Sequence, residues 1–344
     1  MKLVKNSPFL IAEISANHCG NLKLAKKLIK LAKSSNANAV KLQTYLADTM
    51  TIKSKKKYFR VKSGLWKNYT LWDLYNEAHT PWEWHDELFK YGKKIGITVF
   101  STPFDESAVD FLERLKCPIY KIASFEMTDI PLIKKVAKTK KPLIISTGTS
   151  DLPEIEETFN IAMKYGSGDI TLLYCVSNYP SQKSDFNINN IKILKDKFQC
   201  KVGLSDHSND HDVAIAAVAA GAEVFEKHIA VKGQTRGLDI KFSLKGDELK
   251  YYKNKIDETY KLLGKKNFFR NNTEKNSRIF RRSIFSVKKI IRGEKFTKKN
   301  IRRIRPGNGL PPKYYEKLIG MKSPFNYNEG EPLGINLIKK LNIK

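Results

Sequence analysis

The stretch 201-KVGLSDHSNDHDVAIAAVAAGAEVFEKHIA-230 contains two short apolar runs that each end in a histidine. His207 follows KVGLSD, His228 follows AEVFEK, and the Ala-rich segment between them has the composition of a helix. A strand, a helix and a second strand in this order indicate two parallel strands joined by a helical crossover. The two histidines are therefore expected at the same edge of one sheet.

The same strand and helix pattern repeats through the first 265 residues. The predicted strands are 8–14, 38–44, 97–102, 118–124, 142–147, 170–176, 201–205 and 223–228. The predicted helices include 22–34, 82–95, 105–116, 129–139, 152–165, 209–220 and 246–263. Eight such units predict a closed (β/α)8 TIM barrel. An open doubly wound sheet is the alternative, although no Gly-x-Gly-x-x-Gly follows the first strand.

Two parts of the chain depart from this pattern. Residues 45–80 are basic and aromatic and exceed an ordinary βα loop, so we expect them to lie over the barrel mouth. After a barrel domain over 1–265 comes a polar linker at 266–283, and 284–344 has the short strands and turns of a small β-rich domain. A domain of about 60 residues is marginal alone, so we expect it to dock on its own barrel or on a partner.

The composition is that of a globular protein, with 344 residues of which 41% are hydrophobic. No apolar run has the length of about 18 residues that a membrane span needs, and MKLVKNSPFLIAEIS lacks a signal-peptide pattern. The four cysteines have no paired spacing, which is typical of reduced thiols. We therefore expect a cytoplasmic protein that does not bind a membrane.

The formal net charge of +28 raises the question of nucleic acid. Lysines are spread over most helices, as in NLKLAKKLIKLAKSS, where they form solvated faces, and we do not expect nucleic acid as a partner. The region 265–305 has 16 Lys and Arg against 2 Glu, so a non-enzymatic binder of nucleic acid or membrane remains the alternative class.

Polar and charged side chains stand at the ends of the predicted strands, where a barrel of this kind carries its chemistry. Burying several charges without function is costly, so their convergence indicates a site. Lys41 and Lys121 point to an anionic ligand, and the hydroxyls of Thr102, Ser124 and Ser146 suit phosphate or carboxylate. The further strand-end candidates are Glu13, Tyr179, Ser205, His207 and His228.

The two histidines that open the analysis follow strands that neighbour each other in a barrel. Neutral imidazoles at His207 and His228 suit a divalent metal that acts as a Lewis acid. Two rings hydrogen-bonded to backbone are the alternative. His18 and His211 are rival ligands, and His79 and His85 are expected at a loop and a helix surface.

Seven motifs at these positions resemble the sialic acid synthase family, whose members condense phosphoenolpyruvate with an amino sugar to make nonulosonic acids. They are IAEISANHCGNLKLAKKLI, AVKLQTY, TPWEWHDELFKYGKKIGITVFSTPFD, YKIASFEMTDIPLI, ISTG, GLSDHS and EKHIA. The tail RRSIFSVKKIIRGEKFTKKNIRRIRPGNGL resembles the family's antifreeze-like (SAF) domain. The resemblance covers nearly the whole chain and implies a TIM barrel followed by that domain.

The resemblance also implies a role for individual residues. His207 and His228 match metal ligands for Mn²⁺ or Mg²⁺, and Glu13 matches the acid that orients a water or handles its proton. Tyr179 and Asp239 match sugar contacts. The positions matching the phosphoenolpyruvate site are Lys41, Thr102, Lys121, Ser124, Ser146 and Ser205. Arg305 matches the arginine that the tail offers to the other subunit's active site, which implies a domain-swapped homodimer.

Within the family, SANH, TPWEWH and SFE resemble the pseudaminate-forming branch. That branch implies a transferase of the EC 2.5.1 type, which joins phosphoenolpyruvate, 2,4-diacetamido-2,4,6-trideoxy-altrose and water into pseudaminate and phosphate for a cell-surface glycan. N-acetylneuraminate and legionaminate synthases are the alternatives, because CVSNYPSQ and VKGQTRGLDIKFSL depart from the usual forms of the branch. A deoxy sugar favours an apolar pocket, for which Phe125, Met127 and Trp66 are candidates.

Overall fold

Eight parallel strands close into a barrel, because the first strand pairs with the second on one side and with the eighth on the other. The strands are β1 (Phe9–Glu13), β2 (Ala39–Thr44), β3 (Thr98–Pro103), β4 (Tyr120–Ile122), β5 (Leu143–Ser146), β6 (Ile170–Cys175), β7 (Lys201–Asp206) and β8 (Val224–Ala230). A short β9 (Leu244–Lys245) pairs in parallel with the last residues of β8. This computed structural model describes residues 7–264 and 267–343. The predicted TIM barrel is confirmed, and the open sheet is excluded.

Helices connect the barrel strands, and most of them cover the outside of the barrel. They are α1 (Leu22–Ser34), α2 (Ala47–Met50), α3 (Leu71–Ala78), α4 (His85–Ile95), α5 (Glu106–Arg114), α6 (Ile130–Ala137), α7 (Leu152–Tyr165), α8 (Asn189–Phe198), α9 (His211–Ala219) and α10 (Asp247–Leu263). Local sequence sets several starts, since the side chains of Asn21, Asp105 and Asp151 each accept a hydrogen bond from a first-turn backbone N–H. Each helix then buries one apolar stripe, such as Leu28 and Ile29 of α1, against the strands.

Some elements differ from the predictions. Helix α8 was missed, because only Ile191 and Leu194 of its ten residues are buried and the apolar period is weak. Residues 45–80 contain α2 and α3 rather than a plain loop. The expectation that His85 lies on a helix surface was wrong, since its ring is buried with Nε2 2.7 Å from Thr44 Oγ1.

The chain divides into two compact units, and the division falls after Gly264. In the second unit β10 (Ser283–Ser286) and β11 (Ile301–Ile304) form an antiparallel pair. The short helices α11 (Asn272–Asn276), α12 (Tyr315–Leu318) and α13 (Ile335–Lys340) complete this unit. Its own core is built from Ile284, Ile290, Phe296, Ile301, Leu310, Leu318, Leu333, Leu337 and Ile338. Part of the predicted linker is therefore structured, because 266–283 contains α11 and the first residue of β10.

A search of the described residues for membrane-spanning helices found none with the required length and apolar character.

Candidate active site

A cavity of about 410 Å³ opens at the carboxyl ends of the barrel strands, which is where parallel strands of a barrel present their functional side chains. Its size is that of a small-molecule site. The predicted site residues in its lining are Lys41, Lys121, Ser124, Ser146, Tyr179, Ser205, His207, His228 and Asp239. Glu13 and Thr102 are buried directly behind Lys41. Arg305 is an exposed residue of the second unit.

Lys41 is the centre of a fully buried charge network on β1, β2 and β3. Its Nζ lies 2.6 Å from Glu13 Oε2 and donates a 3.0 Å hydrogen bond to Thr102 Oγ1. Burial raises the pKa of Glu13 to about 7, although Lys41 opposes this shift. Burial by itself lowers the pKa of Lys41, but Glu13 and Glu226 raise it overall, so the lysine is held in its cationic form.

Lys121 of β4 supplies a second buried cation. Its Nζ donates to Ser146 Oγ at 2.6 Å and to the Ile122 carbonyl at 3.0 Å. Burial lowers the pKa of Lys121, and Glu226 counteracts this by raising it. Two lysines therefore point into the cavity from β2 and β4, as the anion-binding prediction requires.

Glu226 of β8 had no assigned role in the sequence analysis, yet it stands between the two lysines. Its Oε1 lies 3.8 Å from Lys41 Nζ, and its Oε2 lies 3.9 Å from Lys121 Nζ. Ser205 Oγ donates to Oε1 at 3.3 Å, whereas Oε2 is buried without a hydrogen bond. Burial alone raises the pKa of Glu226, but Lys121 and Lys41 bring it below the usual value. Its signal in the sequence was an acidic residue inside the apolar run VFEKHIA.

Hydroxyl groups and one backbone N–H surround the cavity beside Lys121. Gly148 N donates to Ser124 Oγ at 3.2 Å. A Cβ on Gly148 would overlap Ser177 Oγ and lie 2.7 Å from Ser124 Oγ, so a larger residue here would displace these two hydroxyls. The cluster of Ser124, Ser146 and Ser177 offers donors of the kind that bind phosphate or carboxylate oxygens.

The two histidines approach each other as predicted, with ring centroids 5.4 Å apart. His207 Nδ1 lies 3.1 Å from the Val176 carbonyl, which leaves the opposite ring nitrogen to the cavity. His228 Nδ1 is buried without a hydrogen bond and lies 3.7 Å from Asp239 Oδ2. Burial lowers the pKa of His228 well below its usual value, so the ring is neutral and has the form that binds a metal.

These groups fit a divalent metal, since two imidazole rings lie close together and one has an unpartnered nitrogen near a carboxylate. Throughout the described chain, however, no group of three or more His, Cys, Asp or Glu side chains has the arrangement of a preassembled metal centre. The protein therefore offers two imidazoles, and an ion there needs further oxygen ligands from water or a bound molecule. The rival histidines lie elsewhere, because His18 contacts Thr80 and Trp84 and His211 packs on Tyr251.

Asp239 is held at the cavity by the first 3₁₀ turn after β1. Ser15 Oγ donates to Asp239 Oδ2, and burial raises the pKa of this carboxyl. Asn17 Nδ2 donates to the Ile229 carbonyl at 2.9 Å and to Ser243 Oγ at 2.8 Å, which joins this turn to the segment that carries Asp239. Tyr179 lies beside His207, with ring centroids 4.5 Å apart.

The cavity also has an apolar wall, and most of it comes from the segment 45–80. That segment contributes Tyr45, Met50, Val61, Trp66, Leu71, Leu74, Tyr75 and Ala78 to the lining. Trp66 Nε1 donates to the Leu238 carbonyl at 3.1 Å, which fastens the segment to the loop that follows β8. Phe125 also lines the cavity, but Met127 is fully buried in the core, so it is not available as a pocket residue.

Two further lining residues escaped the sequence analysis as site residues. Glu126 follows β4, its Oε2 is buried without a hydrogen bond, and burial raises its pKa to about 7. Cys175 ends β6 with Sγ 3.8 Å from His207 Nδ1. Burial alone raises the pKa of this thiol, but His207 lowers it to about 7. An acidic residue directly after a predicted strand was the only available signal for Glu126.

The fold and the cavity define a barrel protein with a charged site at the carboxyl ends of its strands. Comparison with known proteins identifies the family. Residues 28–268 match the NeuB family, and residues 281–338 match the SAF domain. The chain therefore belongs to the NeuB family, and both family resemblances predicted from the motifs are confirmed.

Relatives in this family are named for several sugars. The chain is 40% identical over 325 residues to the pseudaminic acid synthase of Campylobacter jejuni, covering 94% of this chain and 95% of that protein. It is 38% identical over 328 residues to the N,N'-diacetyllegionaminic acid synthase of the same organism, covering 94% and 97%. The crystal structure of the N-acetylneuraminic acid synthetase from Leptospira borgpetersenii, in complex with citrate, superposes with a TM-score of 0.71 at 32% identity, covering 79% and 90%.

Proposed function

We propose that the protein joins phosphoenolpyruvate, 2,4-diacetamido-2,4,6-trideoxy-altrose and water into pseudaminate and phosphate, as a transferase of the EC 2.5.1 type. One observation carries the proposal, namely a single cavity whose wall contains two buried lysines, two histidines and a large apolar surface. The similarity to a pseudaminic acid synthase along 94% of the chain supports it.

The cationic end suits phosphoenolpyruvate. Lys41 and Lys121 approach from β2 and β4, and the Ser124 and Ser146 hydroxyls lie beside them. Charge-assisted hydrogen bonds of this kind orient phosphate and carboxylate groups. The buried carboxylates of Glu13 and Glu226 balance the charge of the lysines when no anion is bound, which stabilises the empty pocket. They also compete with a bound anion for the lysines, so that the anion can still dissociate.

We propose that His207 and His228 hold Mn²⁺ or Mg²⁺. An ion there would supply Lewis-acid polarisation of the aldehyde oxygen of the open-chain sugar. In the proposed reaction C3 of phosphoenolpyruvate attacks the aldehyde carbon, positive charge develops at C2, water adds at C2 and phosphate leaves. Glu13 accepts a hydrogen bond from Ser15 N at 2.9 Å, and its raised pKa of about 7 suits a group that takes up the proton of that water.

The apolar wall of the cavity affects which sugar can bind. The substrate proposed here carries a methyl group at C6 and two N-acetyl methyl groups, whereas N-acetylmannosamine carries hydroxyl groups at C4 and C6. Burying a hydroxyl against Leu71, Leu74 or Met50 without a partner costs about 1–3 kcal/mol. The wall therefore favours a trideoxy sugar. Legionaminate or N-acetylneuraminate synthesis is the second candidate, which the 38% identity to a diacetyllegionaminic acid synthase favours.

Phosphate release from phosphoenolpyruvate tests the proposal. The purified protein with Mn²⁺ is offered the trideoxy-altrose, its manno-configured counterpart and N-acetylmannosamine in parallel. Release with the altrose sugar alone supports the pseudaminate assignment. Release with another sugar reassigns the substrate and retains the mechanism, while a complete absence of release with all three, in protein that binds Mn²⁺, contradicts the synthase assignment.

We also propose that the protein works as a domain-swapped homodimer in which Arg305 reaches the partner's cavity. Two observations support this proposal. The motif RPGNG, which contains Arg305, resembles the corresponding motif of the family, and residues 281–338 match the SAF domain. Complementation tests it with two inactive variants, His207→Ala and Arg305→Ala. If Arg305 acts across subunits, mixed dimers regain one working site. If it acts within its own chain, mixing restores no activity.

A further inference from the structure

Directly behind the two cavity histidines lies a buried ion pair that faces the helical layer. Asp206 and Lys227 are opposite each other in the β7–β8 ladder, each next in sequence to one of the histidines. Successive strand residues point to opposite faces, so His207 and His228 enter the cavity while Asp206 and Lys227 point away from it. Asp206 Oδ2 lies 3.4 Å from Lys227 Nζ and accepts a 3.0 Å hydrogen bond from the Tyr252 hydroxyl.

The same groups hold the turn that follows His207. Asp206 Oδ1 accepts from Ser208 N at 2.8 Å and from Ser208 Oγ at 2.7 Å, and Lys227 Nζ donates to the Ser208 carbonyl. All three members of the cluster, Asp206, Lys227 and Tyr252, are at most 1% exposed. The backbone on both sides of His207 is therefore tied to the strand that carries His228.

We propose that Asp206, Lys227 and Tyr252 are positioning residues that set the spacing of His207 and His228 for the metal ion. This inference rests on the proposed metal role of the two histidines. A buried ion pair has no water to replace a lost partner. Removal of one member therefore leaves an unpaired buried charge, and the strand end that carries this charge shifts to relieve it. Groups that orient metal ligands typically contribute 10- to 100-fold to metal affinity.

Positioning can be separated from a purely electrostatic effect by its sign. If the pair acts only through charge, Asp206→Asn weakens binding of a divalent cation and Lys227→Met strengthens it. If the pair sets the spacing of the histidines, both changes weaken binding. Tyr252→Phe changes no charge and removes one hydroxyl, so it reports positioning alone with little risk to folding.

The experiment titrates the metal-free, full-length protein with Mn²⁺ and measures free Mn²⁺ by electron paramagnetic resonance. We expect wild type to bind and His207→Ala to lose binding. Asp206→Asn and Lys227→Met should each weaken binding at least about tenfold, and Tyr252→Phe by a smaller factor. Lys253→Met is the matched control, because Lys253 is also buried and lies on the same helix as Tyr252. Its Nζ donates a 2.7 Å hydrogen bond to Ser7 Oγ, and it does not line the cavity. It should bind Mn²⁺ as wild type does.

Two results overturn the inference while leaving the metal site in place. One is wild-type Mn²⁺ affinity in the Asp206, Lys227 and Tyr252 variants with only a lowered melting temperature, which shows a purely structural role. The other is opposite shifts in Asp206→Asn and Lys227→Met, which shows a purely electrostatic role. Failure of wild type to bind Mn²⁺, or binding that survives His207→Ala, overturns the proposed metal site and this inference together.

Discussion

Buried charges occur on both sides of the barrel strands, and the two sides differ in how completely these charges are hydrogen-bonded. Facing the helices, Lys253 Nζ bonds Ser7 Oγ at 2.7 Å and Asp257 Oδ1 at 2.5 Å. Facing the cavity, Glu226 Oε2, Glu126 Oε2 and His228 Nδ1 are buried without a hydrogen bond. An unsatisfied buried polar atom costs free energy that a folded protein tolerates where a ligand supplies the missing partner. The contrast therefore marks Glu226, Glu126 and His228 as groups that a ligand can complete, whereas Lys253 is already satisfied.

The largest loss of activity is expected on substitution of His228, whose Nδ1 is buried without a hydrogen-bond partner. His228→Ala should lower kcat/KM on the order of a thousandfold, because loss of Lewis-acid polarisation removes several kcal/mol of transition-state stabilisation. Steady-state phosphate release with saturating Mn²⁺ measures it. Lys253→Met, on the satisfied side, should keep its rate within about twofold. Retention of more than a tenth of wild-type activity in His228→Ala contradicts the metal assignment.

Lys121 offers a direct comparison with Lys253, since both are buried lysines with hydrogen-bonded Nζ groups. Lys121→Met should raise the KM for phosphoenolpyruvate about 100-fold, because truncating a buried charge that binds an anion costs about 2–5 kcal/mol. Lys253→Met should leave KM unchanged and lower only the melting temperature. Equal KM values in the two variants would show that Lys121 is a structural lysine.

The barrel and the position of the site were visible in the sequence, because the strand period and the residues at strand ends indicate them. Alternating strands and helices predicted the barrel, and polar residues at strand ends predicted Lys41, Lys121, His207 and His228 in one cavity. The sequence could not show which charges stay unsatisfied, since that depends on how β8 meets β1 and β7 across the closed barrel. Glu226 therefore received no role until the structure placed it between the two lysines.

Irregular segments were harder to predict than the strands. The apolar half of the cavity comes from 45–80, where no period of 2 or 3.6 fixes which side chains turn inward. Trp66 and Leu71 line the cavity, whereas Met127, a pocket candidate by sequence, belongs to the core. His85 was misplaced for a similar reason, because its burial depends on a contact with Thr44 that is distant along the chain.

A smaller effect is expected in the pH dependence of stability of the metal-free protein. Burial raises the pKa of Glu13 and of Glu126 from 4.5 to about 7 in the folded protein. Between these values the folded state binds more protons than the unfolded state, so the free energy of unfolding falls as pH rises from about 4.5 to about 7. Each carboxyl should contribute a loss of about 2 kcal/mol between about pH 5 and pH 7, at ~1.4 kcal/mol per proton and pH unit.

Urea unfolding at several pH values, with chelator present, checks this expectation. Glu13→Gln and Glu126→Gln should each reduce the loss of stability between the two pH limits. Glu157→Gln, on the exposed face of α7, serves as the control and should leave the profile unchanged. A wild-type stability that rises with pH over this window would contradict the raised pKa values of Glu13 and Glu126.

The smallest effect concerns the shape of the anion end. Gly148→Ala places a methyl group against the hydroxyls of Ser124 and Ser177, so these side chains must leave the cavity wall. Overpacking of this kind costs about 1–3 kcal/mol, and we expect the KM for phosphoenolpyruvate to rise about tenfold with kcat little changed. Gly168→Ala is the matched control, because a Cβ there has no heavy atom within 4 Å. A rise in KM confined to Gly148→Ala would show that the serine hydroxyls bind the anion. Equal KM values would mean that the lysines alone bind the phosphoenolpyruvate anion. The serine hydroxyls would then have no part in binding, and only the charged groups of the cavity would contact the ligand.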